Sequence, residues 1–204
     1  MVLPQTSPYV TPQEYYARER AADHKSEYYQ GEIFAMAGST TRHARIGTNL
    51  QGELYGRLKG GHRSPYNSDQ RIKIAATGLR TYPDASVFCS KMEYDPDDQQ
   101  RETAVNPTML FEVLSDSTEA YDRGTKAEQY RRIASLQAYL LINQGTAHVE
   151  HFERQEDGTW RLTEASGLDS TVRLSALGID LPLADLYSGA ELDEPPHLNV
   201  VRER

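Results

Sequence analysis

Glu112 stands inside an apolar run, with Met109, Leu110 and Phe111 before it and Val113 and Leu114 after it. A buried, ionised carboxylate without a partner is costly, so such a group shifts its pKa, pairs with a cation or binds a metal. Two further residues belong with it. Asp84, in TYPDASVFC, opens another apolar strand directly after Pro83. Lys126, in YDRGTKAEQY, lies on the helical stretch that follows, with Asp122 and Tyr130 one turn to either side. Two carboxylates on adjacent strands can clamp a hard divalent cation such as Mg2+, which keeps several waters and takes phosphate oxygens as its other ligands. A nearby lysine can steer or deprotonate the attacking water and offset charge on a phosphorane-like transition state. Metal-assisted phosphodiester hydrolysis needs this set.

Each residue also has a plainer reading. Taken singly, Asp84 is a turn residue after proline, and Lys126 is a solvated helix lysine paired with Asp122. For Glu112 the alternative is an ion pair with Arg131 or Arg132, but an acid among five apolar neighbours has no cheap structural explanation. Asp69, in NSDQRIKI, heads the strand before Asp84 and either approaches the same sheet end or serves a turn.

The helices and strands around these groups are legible in outline. Thr11, Pro12 and Glu14 form a helix start with a Thr-x-x-Glu capping box. SEYYQGEIFAMAG reads as a hairpin turning at Gln30-Gly31, with Ile33, Phe34 and Met36 in its second strand. Ile46, Leu50, Leu54 and Leu58 recur every fourth residue from His43 to Lys59, an amphipathic helix ending at Gly60-Gly61. Two strands join around Thr77-Gly78, and a polar, insertion-like loop, EYDPDDQQRETAVNP, precedes the strand of Glu112. A helix is expected over roughly Thr118 to Ile133, a buried strand at AYLLINQ, then strands at HVEHFERQ, TWRLTEAS and STVRLSAL, and a closing LPLADLY. These spacings predict an α/β (α+β) chain with a central mixed sheet flanked by helices. Residues 1–10 form an N-terminal arm, 11–188 the domain, and 189–204 a flexible C-terminal tail.

Composition narrows the class. The net charge of −8 opposes general attraction to nucleic acid, yet Arg42 to Arg80 carries eight cations against Glu53 and Asp69, a local +6 that leaves −14 elsewhere. That segment is either chance clustering on solvated faces or a basic surface beside an acidic site. One cysteine, Cys89, excludes an internal disulfide and fits a reducing compartment, and its setting beside Phe88 suits core packing. The chain shows no apolar run of membrane-spanning length and no basic, apolar secretory start, so a cytoplasmic protein is expected. Zinc chemistry is disfavoured, because His148 and His151 fall on opposite strand faces and no Cys-x-x-Cys or His-Glu-x-x-His occurs. A Gly-x-Ser-x-Gly elbow and phosphate-loop or dinucleotide fingerprints are likewise absent.

Read in order, YxxGEIxAMAG, a helix-opening His43, SDxRIKI, YPDxxVxC, NPTxxxEVLSxST and YDRGxKxxxYR resemble the Uma-type endonucleases (domain of unknown function 820) of the PD-(D/E)XK nuclease superfamily. The likeness runs from about Thr11 to Tyr187. It implies a restriction-endonuclease-like fold and Mg2+-dependent cleavage of DNA, with Mn2+ substituting and Asp84 and Glu112 as the acidic pair. In the superfamily's Glu-x-Lys the lysine follows two residues on, where this chain has Leu114, and Lys126 fits the slot from the helix instead. The resemblance also points to Glu27 as an acid approaching the metal through water and to His43 as a ring meeting phosphate, against surface and capping roles for the two. The resulting expectation is that Asp84, Glu112 and the Val113 carbonyl hold the ion while Lys126 positions or activates water. Tyr130 would support them, and Arg42, Arg45, Arg71, Lys73 and Arg131 would hold the DNA backbone. A homodimer is expected, because cutting two strands pairs two sites. The rival reading is a catalytically degenerate nucleic-acid-binding or interaction protein on the same fold.

Overall fold

The computed structural model describes residues 9–36 and 38–193. Helix α1 (Pro12–Ala21) starts as its capping box dictates, Thr11 Oγ1 accepting from the Glu14 N–H at 3.3 Å and the Glu14 carboxylate accepting from the Thr11 N–H at 2.8 Å. Strands β1 (Ser26–Tyr29) and β2 (Glu32–Ala35) form the hairpin, and Met36 lies just beyond it. Gln30 and Gly31 both take positive φ at its turn, and a side chain at Gly31 would collide with the Tyr9 ring. Helix α2 (Thr41–Leu58) follows with Ile46, Leu50, Leu54 and Leu58 buried along one face.

Next come β3 (Ser64–Asn67), β4 (Arg71–Lys73), β5 (Arg80–Thr81), β6 (Ala85–Phe88), β7 (Thr103–Ala104) and β8 (Met109–Leu114). The expected second helix is assembled from α3 (Glu119–Tyr121), a π-helical turn at Asp122–Lys126 and α4 (Ala127–Tyr130). Strands β9 (Ala138–Asn143), β10 (His148–Arg154) and β11 (Trp160–Ser166) continue the chain. Then β12 (Thr171–Leu174), a 3-10 turn, β13 (Ile179–Pro182) and α5 (Leu183–Leu186) complete the described elements.

The strands do not form one sheet. Six pair in the order β11-β10-β9-β8-β6-β3, five in the order β2-β1-β5-β4-β7, and β12 and β13 form a ribbon. The six-stranded sheet is mixed, with β8 and β9 parallel and β6 and β8 antiparallel. Alternation along β8 divides the interior. Met109, Phe111 and Val113 pack with the apolar face of α2 and with Leu181, Leu183 and Leu186, while Leu110 and Leu114 pack with Tyr130, Ile133, Leu136 and Ile72. Each fully buried Leu or Ile contributes about 1.5–3 kcal/mol, so the four α2 residues alone hold that helix firmly against the sheet.

The polar insertion has a structural task. Asp95 reaches Lys73 at 2.6 Å and Arg80 at 3.0 Å, and Asp98 reaches Arg71 at 3.3 Å, beneath Tyr15, Tyr16 and Tyr82. Arg71 is 4% exposed and Arg80 2%. Much of the basic segment is thus neutralised inside the protein. Val10 of the expected arm is buried and bonds the Gly31 carbonyl, and residues 1–8 lie outside the described residues. The first residues of the expected flexible tail are tied down, since Asp193 donates its N–H to the Gly145 carbonyl at 2.7 Å and pairs with Arg42 at 2.9 Å. Residues 194–204 lie outside the described residues. Among the described residues no helix is long and apolar enough to cross a membrane.

Candidate active site

Glu112 lies on the same side of β8 as Leu110 and Leu114, the side that α4 covers, and is 4% exposed. Neither proposed arginine partner reaches it: Arg131 donates to the Tyr139 hydroxyl and Arg132 pairs with Glu128. Its partners come from the helix instead. Lys126 Nζ lies 2.9 Å from Glu112 Oε1, and the Tyr130 hydroxyl donates to the same oxygen. The π turn makes this possible by packing one more residue into the turn than an α-helix holds. Asp122 and Lys126 are both buried against the strand and lie 3.3 Å apart.

Asp84 immediately precedes β6. The antiparallel register pairs Ala85 with Phe111, and one further step puts Asp84 opposite Glu112. Asp84 Oδ2 accepts the Val113 N–H at 2.7 Å and meets His43 Nε2 at 3.2 Å. His43 sits in the first turn of α2, its own N–H capped by Thr40, and its ring turns to Asp84. Glu27, on β1, completes the group. Lys126 lies 3.7 Å from it, the Tyr121 hydroxyl donates to it at 2.8 Å, and the Thr81 hydroxyl bonds its other oxygen.

The electrostatics follow from crowding. Burial pushes the Glu112 carboxyl up to about 8; Lys126 and the Tyr130 hydrogen bond pull against that rise, while Asp122 and Asp84 add to it. For Lys126, burial works against the ammonium, but Glu112, Asp122 and Glu27 outweigh it and raise the group well above an ordinary lysine. His43 behaves likewise: burial lowers it, and the Asp84 bond and charge, with the Val113 carbonyl, raise it overall. Four carboxylates therefore surround one ammonium and one imidazole. Fully ionised, with His43 protonated, they would leave an excess of two negative charges.

The donor set fits a hard cation. Both protein contacts to Glu112 reach Oε1 and both to Asp84 reach Oδ2, so each acid keeps its second oxygen uncommitted. All these donors are oxygens, which suits Mg2+ or Mn2+ rather than a softer metal. Lys126, Asp84, Glu112, Asp122, Glu27, His43 and Val113 all line one cleft of about 1150 Å³.

Other expected site residues lie elsewhere. Asp69 does not converge on the acids; it sits in the turn after β3, its side chain 72% exposed and paired with Lys25 at 2.6 Å. Arg71 and Lys73 are corrected as backbone-binding residues, since Asp98 and Asp95 already hold them. None of Arg42, Arg45, Arg71, Lys73 and Arg131 lines the cleft, and Arg45 is exposed on α2. Sequence reasoning missed Tyr121, Thr81 and Gln129, whose buried Oε1 has no partner among the described residues and which also lines the cleft. Only a structure brings Tyr121 and Thr81 to Glu27 and Gln129 to the cleft, because none has a distinctive local pattern. A separate trio, His148, Glu150 and Glu164, gathers on β10 and β11, but Arg123 already bonds Glu150.

Residues 12–184 match the family model Uma2, described as "Putative restriction endonuclease". The chain belongs to this family. Two uncharacterised proteins of Synechocystis sp., slr1290 and sll1609, are similar to it throughout: 34% identical over 89% of this chain and 93% of the relative, and 35% identical over 88% and 100%. The fold is shared with a crystal structure from Anabaena variabilis described as a putative nuclease belonging to DUF820. Its TM-score is 0.68 at 17% identity, covering 86% of this chain and 97% of that one. The Uma2 resemblance read from the motifs and the restriction-endonuclease-like mixed fold both stand, and the family and fold support a nuclease function.

Proposed function

We propose that this Uma2 protein is a Mg2+-dependent endonuclease that hydrolyses DNA phosphodiester bonds, with Mn2+ able to substitute. The observation that carries the reading is Glu112, a carboxyl 4% exposed, facing Asp84 across neighbouring strands and served by Lys126 at 2.9 Å. Asp84 and Glu112 would hold the ion through their uncommitted oxygens. The N–H and C=O of one strand residue point to the same side, so the Val113 carbonyl looks toward Asp84 and would supply a third oxygen. When bound, the ion polarises a phosphoryl oxygen and lowers the pKa of a coordinated water.

The chain's own groups do the rest. Lys126 stays protonated among its carboxylates, so it steers the water and neutralises charge on the phosphoryl oxygens rather than accepting a proton. Tyr130 remains a phenol and fixes the Glu112 carboxylate by donating to Oε1. His43 orients Asp84, and Glu27 holds Lys126 from the opposite side. A homodimer would bring two such sites to one DNA molecule, and a cytoplasmic setting suits the single free Cys89.

The test is incubation of supercoiled plasmid with wild type and Glu112→Gln, with and without Mg2+. The expected result is nicking by wild type with Mg2+ alone and a loss of at least about 100-fold in the variant. Equal nicking by both proteins, or none under any condition, overturns the assignment.

A further inference from the structure

Two exposed aromatic rings line the cleft, Phe34 at 47% and Tyr121 at 36%, and neither belongs to a core cluster. Single exposed apolar side chains are ordinary. These two are not scattered. Phe34 on β2 pairs directly with Glu27 on β1, which puts the two side chains on one face of the hairpin with Cβ atoms about 5 Å apart. Tyr121 approaches from the helix, its hydroxyl donating to the same Glu27 at 2.8 Å. Two unburied rings from different elements thus adjoin one acid that lies 3.7 Å from Lys126.

The charges of the cleft are as telling. Lys25 and Lys126 are the only lysines or arginines among the described residues that line it, and each is closed in an ion pair, with Asp69 and with Glu112. Gripping a duplex relies on several cations set against its phosphates. A single strand offers a second source of affinity, its unpaired bases, whose stacking on aromatic faces offsets part of what missing cations would supply.

We infer that the cleft takes an unpaired DNA segment, with a base stacked on Phe34 and Tyr121 beside the phosphate to be cut. This rests on the nuclease reading and adds to it the form of the substrate. The shared chemistry is an unpaired nucleobase, which a single strand, a flap or an opened duplex can each present.

The test compares wild type, Phe34→Ala and Phe34→Trp on one labelled oligodeoxynucleotide, as a single strand and as a blunt duplex, with Mg2+. The single strand is expected to be cut at least about tenfold faster. Phe34→Ala is expected to raise KM for it about five- to 150-fold with kcat little changed, and Phe34→Trp to restore it. Phe34 packs in no core cluster, so unchanged thermal melting of the variants is expected and checks their folding. In parallel, Glu112→Gln is titrated with the strand carrying 2-aminopurine, whose quenching reports stacking, alone and combined with Phe34→Ala. Equal cutting of strand and duplex, with Phe34→Ala inert, overturns the slot and leaves the nuclease standing. Quenching lost with Phe34→Ala, but no cleavage by wild type, upholds the slot and removes the hydrolytic reading. Absence of both overturns both, and preferential cutting of the matching oligoribonucleotide overturns the assignment to DNA.

Discussion

At the scale of residues, Lys126 is the hub on which the acids depend. It touches Glu112, Asp122 and Glu27, all buried, and methionine would keep its stem while removing the charge. Breaking a buried pair from one side costs about 3–5 kcal/mol, so Lys126→Met is expected to lower the unfolding free energy measured by urea titration by that much and added Mg2+ to restore part of it. Glu112→Gln differs, since Lys126 retains Asp122 and Glu27, and its melting temperature is expected to stay near wild type. The pH dependence has a defined sign. The Glu112 carboxyl is raised from 4.5 to about 8, so in the metal-free protein its stabilising contribution is present below the unfolded value and lost as pH rises through about 8. His43, also raised, loses its contribution in the same direction. A divalent ion competes with the Glu112 proton, so the Mg2+-induced rise in melting temperature should be larger well above pH 8 than well below it. A rise independent of pH, or one retained in Asp84→Ala, would count against the site.

The π turn at Asp122–Lys126 is the decisive element. Deleting Gly124, whose Cα faces open space, would let the segment revert toward a regular helix. One residue is about 100° of rotation, enough to carry Lys126 or Asp122 off the face that meets β8. The expected outcome is a loss of Mg2+-dependent nicking with far-ultraviolet circular dichroism nearly unchanged; full activity would show that the turn is incidental. The flanking elements were more legible. The capping box of α1, the four-residue spacing of α2 and the Gln30-Gly31 hairpin are local signals, and each formed where its residues predict. The helix expected from Thr118 to Ile133 gave no sign of its π turn, because an extra residue in a helix leaves composition unchanged. The partition of the strands into two sheets was equally hidden, since strand runs do not state their partners.

Over the whole molecule, charge placement matters more than the total of −8. The basic run between Arg42 and Arg80 reads either as chance clustering or as a basic surface beside the site, and the acidic insertion folds back onto three of its cations, Arg71, Lys73 and Arg80. Nucleic-acid binding should therefore depend weakly on salt. The slope of log K against log salt is expected to be shallower than about −2, and a slope near −6 would reveal a cationic surface outside the cleft. The proposed homodimer is checked by light scattering, which should give twice the 23.0 kDa of one chain.

The class of fold, the family motifs and the anomaly of Glu112 were all readable along the chain, because period, capping and an acid among apolar residues are local properties. The sequence also named Asp84 and Lys126 as companions of Glu112. Folding alone settled which cations serve the acids and which are consumed inside, that Asp69 faces away, and that Phe34 and Tyr121 adjoin Glu27. Those outcomes depend on contacts between residues far apart in the chain, and a charge or a ring carries no mark of the partner that folding will bring to it.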